Sequence, residues 1–329
     1  MPRSVTFTFE DPFPYQAAIR PAEVSIFPTA RGNFHATLML VDFDRLLMQF
    51  ANEALPRVAH SALAKNRAQI AFLADPSQPA AKYCGTELPS SAIVVGAPGS
   101  SRHIQSHAAC RWATMSLAVN DLSAASAVLT GRELRAASTT HVVHPEPAHM
   151  ARLVCLHAAT RHFIDLAPEI IAHPEVSSMA EHELIHAMVT CLSGDLRTDV
   201  SPGWRHHSAI MRRLEDLLAA NGDQPLHLTQ ICAATKATER TLRICCHEHL
   251  GMGPIKYLRL RRMFLARRAL TRADPASTTV TQIATQYGFG HLGRFAVAYR
   301  RLFGQSPSAT LNSPDQVRTT GGPLKKMFL

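Results

Sequence analysis

An internal repeat in the C-terminal third constrains the fold of this chain more than any other feature. The segment LTQICAATKAT (228–238) aligns with VTQIATQYGFG (280–290). A second match follows in the same order, because HLGMGP (249–254) aligns with LFGQSP (302–307) and both contain Gly-x-x-Pro. A duplicated unit must adopt the same local structure twice, so the repeat fixes the architecture of this region.

Each copy predicts a helix, a tight turn and a second helix. In the second copy Thr279 and Gln282 have the spacing of a capping box, and Gly288 lies where the turn needs a left-handed backbone. In the first copy Thr238 is a good N-cap for its second helix. Lys236 stands at the position of Gly288, and a left-handed lysine there would cost about 1 kcal/mol.

The segment between the copies, IKYLRLRRMFLARRALTRA (255–273), predicts one basic amphipathic helix that fixes the distance between them. Charge is concentrated in the same region. Residues 1–203 contain 15 Lys/Arg and 18 Asp/Glu, whereas residues 204–310 contain 16 and 6. Such asymmetry is typical of a chain in which one domain faces a polyanion. The alternative is a basic surface that is merely solvated.

The N-terminal part predicts a different structure. Up to about residue 145, short apolar runs such as FHATLMLVDF, AQIAFLAD, AIVVGAP and RWATMSLAV alternate with turn-rich stretches, as in a small β-barrel or sandwich. The period then becomes helical, and the polar stretch 194–204 is the predicted domain boundary. We therefore expect an α+β protein with an N-terminal domain over 1–200, a helical domain over 204–310 and a disordered tail over 311–329.

The stretch HELIH (182–186) matches the zinc-hydrolase signature H-E-x-x-H, which makes a zinc-dependent hydrolase the alternative function. Leu184, Ile185, Met188 and Leu192 mark the inward face of this helix, and the two histidines lie on its polar side. The third ligand of the extended signature is missing, since position 192 is leucine. The groupings HVVHPEPAH (141–149) and HIQSH (103–107) offer no preset metal geometry either. We assign no catalytic residue, metal ligand or cofactor, and the chain is not expected to be an enzyme.

The sequence predicts neither export nor membrane insertion. The first residues lack an apolar signal core, and no apolar run approaches the roughly 20 residues that span a bilayer. Seven cysteines without a C-x-x-C pair argue against a disulfide framework. We expect a cytoplasmic protein with reduced thiols.

Residues ~210–310 resemble the DNA-binding region of AraC/XylS-type transcription regulators. The resemblance rests on TERTLRICCHEHLGMGPIKYLRLRRMFLARRAL and, more specifically, on QIATQYGFGHLGRFAVAYRRLFGQSPSA. It covers about a third of the chain. The remainder is similar only in outline to the cupin-like sensor domains of such regulators, and it lacks their H-x-H metal motif.

The resemblance implies a double-stranded DNA partner, with the second helix of each motif in successive major-groove segments. Arg240, Thr241 and Arg243 would then contact bases from the first motif. In the second motif this role would fall to the residues that open the helix, His291, Leu292 and Arg294. Arg300 and Arg301, with some arginines of the linking helix, would contact phosphates.

The resemblance further implies a ligand-responsive activator with a small-molecule effector, RNA polymerase as a partner and a possible homodimer. Trp112 and Met115 could line an effector pocket, although such residues more often belong to a core. The helix over 177–193 is a candidate for part of a dimer interface.

Overall fold

The computed structural model of the protein describes residues 3–194, 202–222 and 224–313. Most of the predicted domain boundary at 194–204 lies outside these residues. None of the helices in the described ranges combines the length and the apolar character that a bilayer span requires.

The N-terminal domain is built from strands that pair only in antiparallel fashion within the described residues. In chain order the strands are β1 (Arg3–Phe9), β2 (Ala22–Pro28), β3 (Ala36–Asp42), β4 (Leu47–Glu53), β5 (Arg57–Leu63), β6 (Arg67–Leu73), β7 (Ala81–Tyr83), β8 (Thr86–Leu88), β9 (Ile93–Gly96), β10 (Ser101–Gln105), β11 (Cys110–Ala118) and β12 (His141–Val143).

These strands form two open sheets. The larger sheet has the order β1-β3-β4-β11-β6-β9-β12 and the smaller has the order β2-β5-β10-β7-β8. Leu38 and Ala51 of the larger sheet share a core with Ile26 and Ala59 of the smaller one, so the sheets pack face to face. Side chains alternate between faces along each strand, which leaves the outer face of each sheet to contact helices.

The helices divide into two groups around the sandwich. In chain order they are α1 (Pro12–Ala18), α2 (Val119–Thr130), α3 (Pro147–Leu166), α4 (Pro168–Ala172), α5 (Pro174–Leu192), α6 (Pro202–Ala220), α7 (Leu228–Thr235), α8 (Glu239–Leu250), α9 (Pro254–Arg272), α10 (Val280–Gln286), α11 (Leu292–Phe303) and α12 (Pro307–Asn312). Helices α2, α3 and α5 share a core with the outer face of the larger sheet. Helices α6 to α9 share a core with the outer face of the smaller sheet.

The predicted α+β fold class is confirmed, with a sandwich rather than a closed barrel as the N-terminal architecture. The four apolar runs identified in the sequence are β3, β6, β9 and β11, and the predicted linking helix is α9. Helix α12 includes Leu311, which is buried, so the first residues of the predicted tail are helical. Residues 314–329 of that tail lie outside the described residues.

The HELIH stretch lies on α5 with the orientation that its pattern predicts. Leu184 and Ile185 are buried in the core, whereas His182 is exposed. Glu183, the potential general base of a zinc hydrolase, forms an ion pair with Arg152 at 2.7 Å. Within the described ranges, no three His, Cys, Asp or Glu side chains group so that they could hold a metal ion.

Candidate nucleic-acid interface

The first helix-turn-helix motif consists of α7 and α8. The chain leaves α7 through Lys236, whose φ of 54° lies in the left-handed region, as the alignment with Gly288 predicts. Thr238 then caps α8, because its hydroxyl accepts a hydrogen bond from the backbone N–H of Thr241 at 3.2 Å. Leu242 is fully buried and anchors α8 to the core of the motif.

The second motif consists of α10 and α11 and repeats this geometry. Thr279 and Gln282 form the predicted capping box at the start of α10. Gly288 makes the turn with a φ of 76°. The rings of Phe289 and Phe295 then meet with centroids 4.7 Å apart, which fixes the angle between the two helices.

The outward face of α8 exposes the side chains that the sequence assigns to base contacts. Arg240 and Arg243 are exposed, and Thr241 is half-buried. Arg243 pairs with Glu239 at 2.7 Å, and both side chains are more than half exposed. An exposed pair of this kind contributes at most about 1 kcal/mol, so DNA can displace it. The hydroxyl of Thr241 lies 2.9 Å from that of Thr238 and therefore also takes part in the cap.

The outward face of α11 is similar in character. His291 is the N-cap residue, and Leu292 and Arg294 open the helix with exposed side chains. Arg300 and Arg301 are exposed in its last turn, as expected for contacts with a phosphate backbone. All eight predicted contact residues thus lie on or beside the two second helices, and seven of them are exposed.

Three arginines of α9 have partners within the protein. Arg267 lies 3.8 Å from the carboxylate of Asp11, and the guanidinium of Arg268 lies 5.4 Å from the ring centroid of Phe13. Arg261 lies 3.6 Å from the carboxylate of Glu215. Arg261 and Arg267 are half-buried, whereas Arg268 is exposed. The expectation that some linking-helix arginines contact phosphates stays a prediction.

Sequence reasoning missed Glu215, a buried carboxylate on α6. It accepts a hydrogen bond from the hydroxyl of Tyr257 at 2.8 Å and lies 3.0 Å from Nε2 of His103 on β10. No motif marks this residue, because its partners are far away in the sequence.

The N-terminal domain has a separate cavity of about 180 Å³ between the larger sheet and α3. Its walls include Phe50, Phe72 and His157, and the guanidinium of Arg161 lies 4.2 Å from the ring centroid of Phe50. Trp112 and Met115 are not part of this wall. Met115 is fully buried in the core, and the indole of Trp112 donates a hydrogen bond to Glu53.

Comparison with known proteins agrees with this geometry. The family model described as a helix-turn-helix domain matches residues 231–313. The chain is 35% identical over 152 residues to the probable thc operon regulatory protein of Rhodococcus erythropolis, a match that covers 46% of each chain. It is 31% identical over 135 residues to the XylDLEGF operon transcriptional activator 2 of Pseudomonas putida, covering 41% of this chain and 85% of that protein. The chain therefore spans less than half the length of the Rhodococcus relative.

Among solved structures, the chain is similar to a probable AraC family transcriptional regulator from Rhodopseudomonas palustris CGA009. The identity is 34%, the match covers 31% of this chain and 94% of that one, and the TM-score is 0.28. From the paired helix-turn-helix motifs and the coverage of the Pseudomonas activator, we conclude that the chain belongs to the AraC/XylS family of transcription regulators.

Proposed function

We propose that the protein regulates transcription in the cytoplasm by reading two successive major-groove segments of double-stranded DNA, one with α8 and one with α11. The observation that carries the proposal is the matched exposure of the N-terminal halves of these two helices. Each helix buries an anchor, Leu242 or Phe295, and presents arginine on its opposite face. Arginine is suited to this role because its guanidinium can bond both O6 and N7 of guanine.

In this proposal Arg240, Thr241 and Arg243 contact bases in the first segment. His291, Leu292 and Arg294 contact bases in the second, with Leu292 against a thymine methyl group. Arg300 and Arg301 bind phosphates, which adds affinity and salt dependence without sequence preference. Selection of duplexes from a random pool tests the proposal. A bipartite sequence should be enriched by the wild type, and recovery of unrelated sequences would contradict it.

We extend the proposal to a ligand-responsive activator, because the Pseudomonas relative is named a transcriptional activator. The cavity beside Phe50 suits a small effector, since a cavity of about 150 Å³ is enough for a benzene-sized molecule. The wall also contains Asp75 and Arg111, which pair with each other at 2.9 Å. Arg161 has no acidic partner among the described residues and leaves the wall with an excess positive charge, so an effector with an apolar body and an acidic group fits best. Thermal unfolding with a panel of small organic acids and their neutral amides tests this. Only the acids should stabilise the wild type, and neither set should stabilise Arg161→Met.

The proposal also includes RNA polymerase as a partner and a homodimer formed through the helices that follow the sandwich. Apolar side chains on α3, α4 and α5 are exposed in the described chain, which supports a dimer surface there. They are Phe163, Leu166, Ile170 and Met179. Sedimentation of wild type and Leu166→Glu tests the dimer, which the variant should weaken.

A further inference from the structure

The two helix-turn-helix motifs differ in what completes their cores. Among the described residues, the apolar core of the second motif is built from positions within 263–311, although Leu302 and Phe303 of α11 also pack against the core of the first motif. The core of the first motif also contains Phe27 of β2 and Val58 of β5, which are both buried. The ring of Phe27 lies 6.1 Å from that of Tyr257 and 5.8 Å from that of Phe264. The first motif thus uses the N-terminal sandwich as part of its own core.

Strand β10 holds the C-terminal end of the first recognition helix, α8. Its side chains at His103 and Gln105 point away from the sandwich interior, toward the helical domain. The ring of His103 meets the ring of His249 at 5.8 Å in a T-shaped arrangement. The amide of Gln105 lies against Gly251, the left-handed C-cap residue of α8, so closely that a Cβ at position 251 would overlap it.

Glu215 joins β10 to the helical domain. Its carboxylate is shared by His103 at 3.0 Å, Tyr257 at 2.8 Å and Arg261 at 3.6 Å. Burial alone would raise the pKa of Glu215, but the hydrogen bond and charge of His103, with the charge of Arg261, lower it to about 2. The carboxylate is therefore ionised, and removal of the His103 donor would leave a buried charge with fewer partners.

These contacts leave the base-reading end of α8 open. The N-terminal domain meets α8 near Glu248, His249 and Gly251, in the last turn and the cap. Arg240 and Arg243, near the start of the helix, are exposed. Docking of the two domains therefore orients α8 without covering the side chains that would meet DNA.

Resting on the DNA-binding function proposed above, we propose that the N-terminal domain is a positioning element for α8, the second helix of the first motif. His103 and Gln105 fix the orientation of α8, with Glu215 as the shared anchor. A change that loosens this contact lowers affinity at the DNA segment read by α8 and leaves the segment read by α11 unaffected.

The test uses the full chain and a duplex that the wild type enriches from a random pool. In each of two derived duplexes, either the first or the second segment is scrambled. The segment whose recognition is lost in Arg240→Ala is the first, and the segment whose recognition is lost in Arg294→Ala is the second.

The variants change the contacts of β10 one at a time. His103→Phe keeps a ring but removes the hydrogen-bond donor to Glu215, and His103→Gln restores a donor. Gln105→Ala removes the contact with Gly251 and leaves the apolar core intact. His35→Gln is the matched control, because His35 is exposed just before β3, outside every contact surface proposed above.

His103→Phe should weaken binding to the intact duplex about tenfold, the size expected when a hydrogen bond to a charged group is lost. Scrambling the first segment should then reduce the DNA affinity of this variant by a smaller factor than it reduces the affinity of the wild type. Scrambling the second segment should reduce the affinity of both proteins by the same factor. Gln105→Ala should show a smaller shift of the same kind. His103→Gln should recover part of the loss, and His35→Gln should match the wild type.

Three results would overturn the inference. If His103→Phe and Gln105→Ala reduce the affinity for the two DNA segments equally, the variants are generally destabilised. Tighter binding would mean that docking blocks DNA, and unchanged binding in both variants would mean that the contact has no such role. If the wild type itself enriches no sequence, the proposed DNA-binding function is wrong, and the inference, which depends on it, is wrong as well.

Discussion

Lys236 and Gly288 occupy equivalent left-handed positions in the turns of the two motifs, with φ angles of 54° and 76°. Only glycine adopts this conformation without a steric penalty from its side chain. The first motif therefore carries a local strain that the second does not.

The first prediction follows from this difference. Lys236→Gly should raise the free energy of unfolding by about 1 kcal/mol, because it removes the left-handed penalty. Gly288→Ala should lower the free energy of unfolding by more than this, because the new methyl group would lie 2.8 Å from Nη1 of Arg262 and from Cγ of Pro225. Urea unfolding of the two variants measures both effects. If Lys236→Gly instead lowers the free energy of unfolding, the lysine side chain stabilises the fold by more than its left-handed backbone destabilises it.

The second prediction separates base contacts from phosphate contacts. Arg294→Ala should reduce discrimination between the selected duplex and its point variants, because a bidentate guanine contact contributes about 1–3 kcal/mol of specificity. Arg301→Ala should weaken all duplexes alike and reduce the slope of log K against log salt by about 1. Competition binding at several salt concentrations measures both. The reverse pattern would overturn these assignments.

The third prediction concerns a buried carboxylate in the N-terminal sandwich. Glu53 accepts hydrogen bonds from Tyr15 at 2.7 Å and Trp112 at 2.8 Å, and it also pairs with buried Arg57. Glu53→Ala should lower the free energy of unfolding by about 3–5 kcal/mol, because it leaves the charge of Arg57 buried without its partner.

The control for this change is Asp75→Ala, which breaks the surface pair between Asp75 and Arg111 and two local hydrogen bonds from Ser77 to Asp75. Its unfolding midpoint should stay close to that of the wild type, because exposed pairs contribute little. Similar midpoints for Glu53→Ala and Asp75→Ala would contradict the account of the buried network.

The fourth prediction is a loss of stability in mild acid. Burial lowers the pKa of His60 to about 4 and that of His249 to about 3, against 6.5 for an exposed histidine. As the pH falls below 6.5, the unfolded chain takes up protons that the folded chain refuses, so folding stability decreases down to about pH 4. Each such histidine should lower the free energy of unfolding by about 2 kcal/mol between pH 7 and pH 5.

Chemical denaturation at pH 7 and pH 5 measures this loss. Neither ring nitrogen of His249 has a hydrogen-bond partner, so His249→Leu removes a titrating group without removing a bond. The variant should lose less stability than the wild type between the two pH values. An equal loss would show that His249 does not contribute.

The sequence predicted local features well and long-range contacts poorly. The capping box at Thr279 and the left-handed Lys236 depend on spacing within a few residues, which a repeat displays directly. The contact between His103 and Glu215 joins positions 112 residues apart, and no periodicity encodes such a pairing. In the sequence, His103 belonged to a histidine grouping without clear chemistry. The orientation of Arg267 toward Asp11 depends in the same way on how the domains dock.

The central claim is that α8 and α11 read separate segments of one duplex, and footprinting of the selected duplex tests it most directly. The wild type should protect two major-groove segments about 10 base pairs apart, the spacing of one helical turn. Arg240→Ala should lose protection at one segment and Arg294→Ala at the other. Loss of the same segment in both variants, or an unchanged footprint in both, would contradict the account.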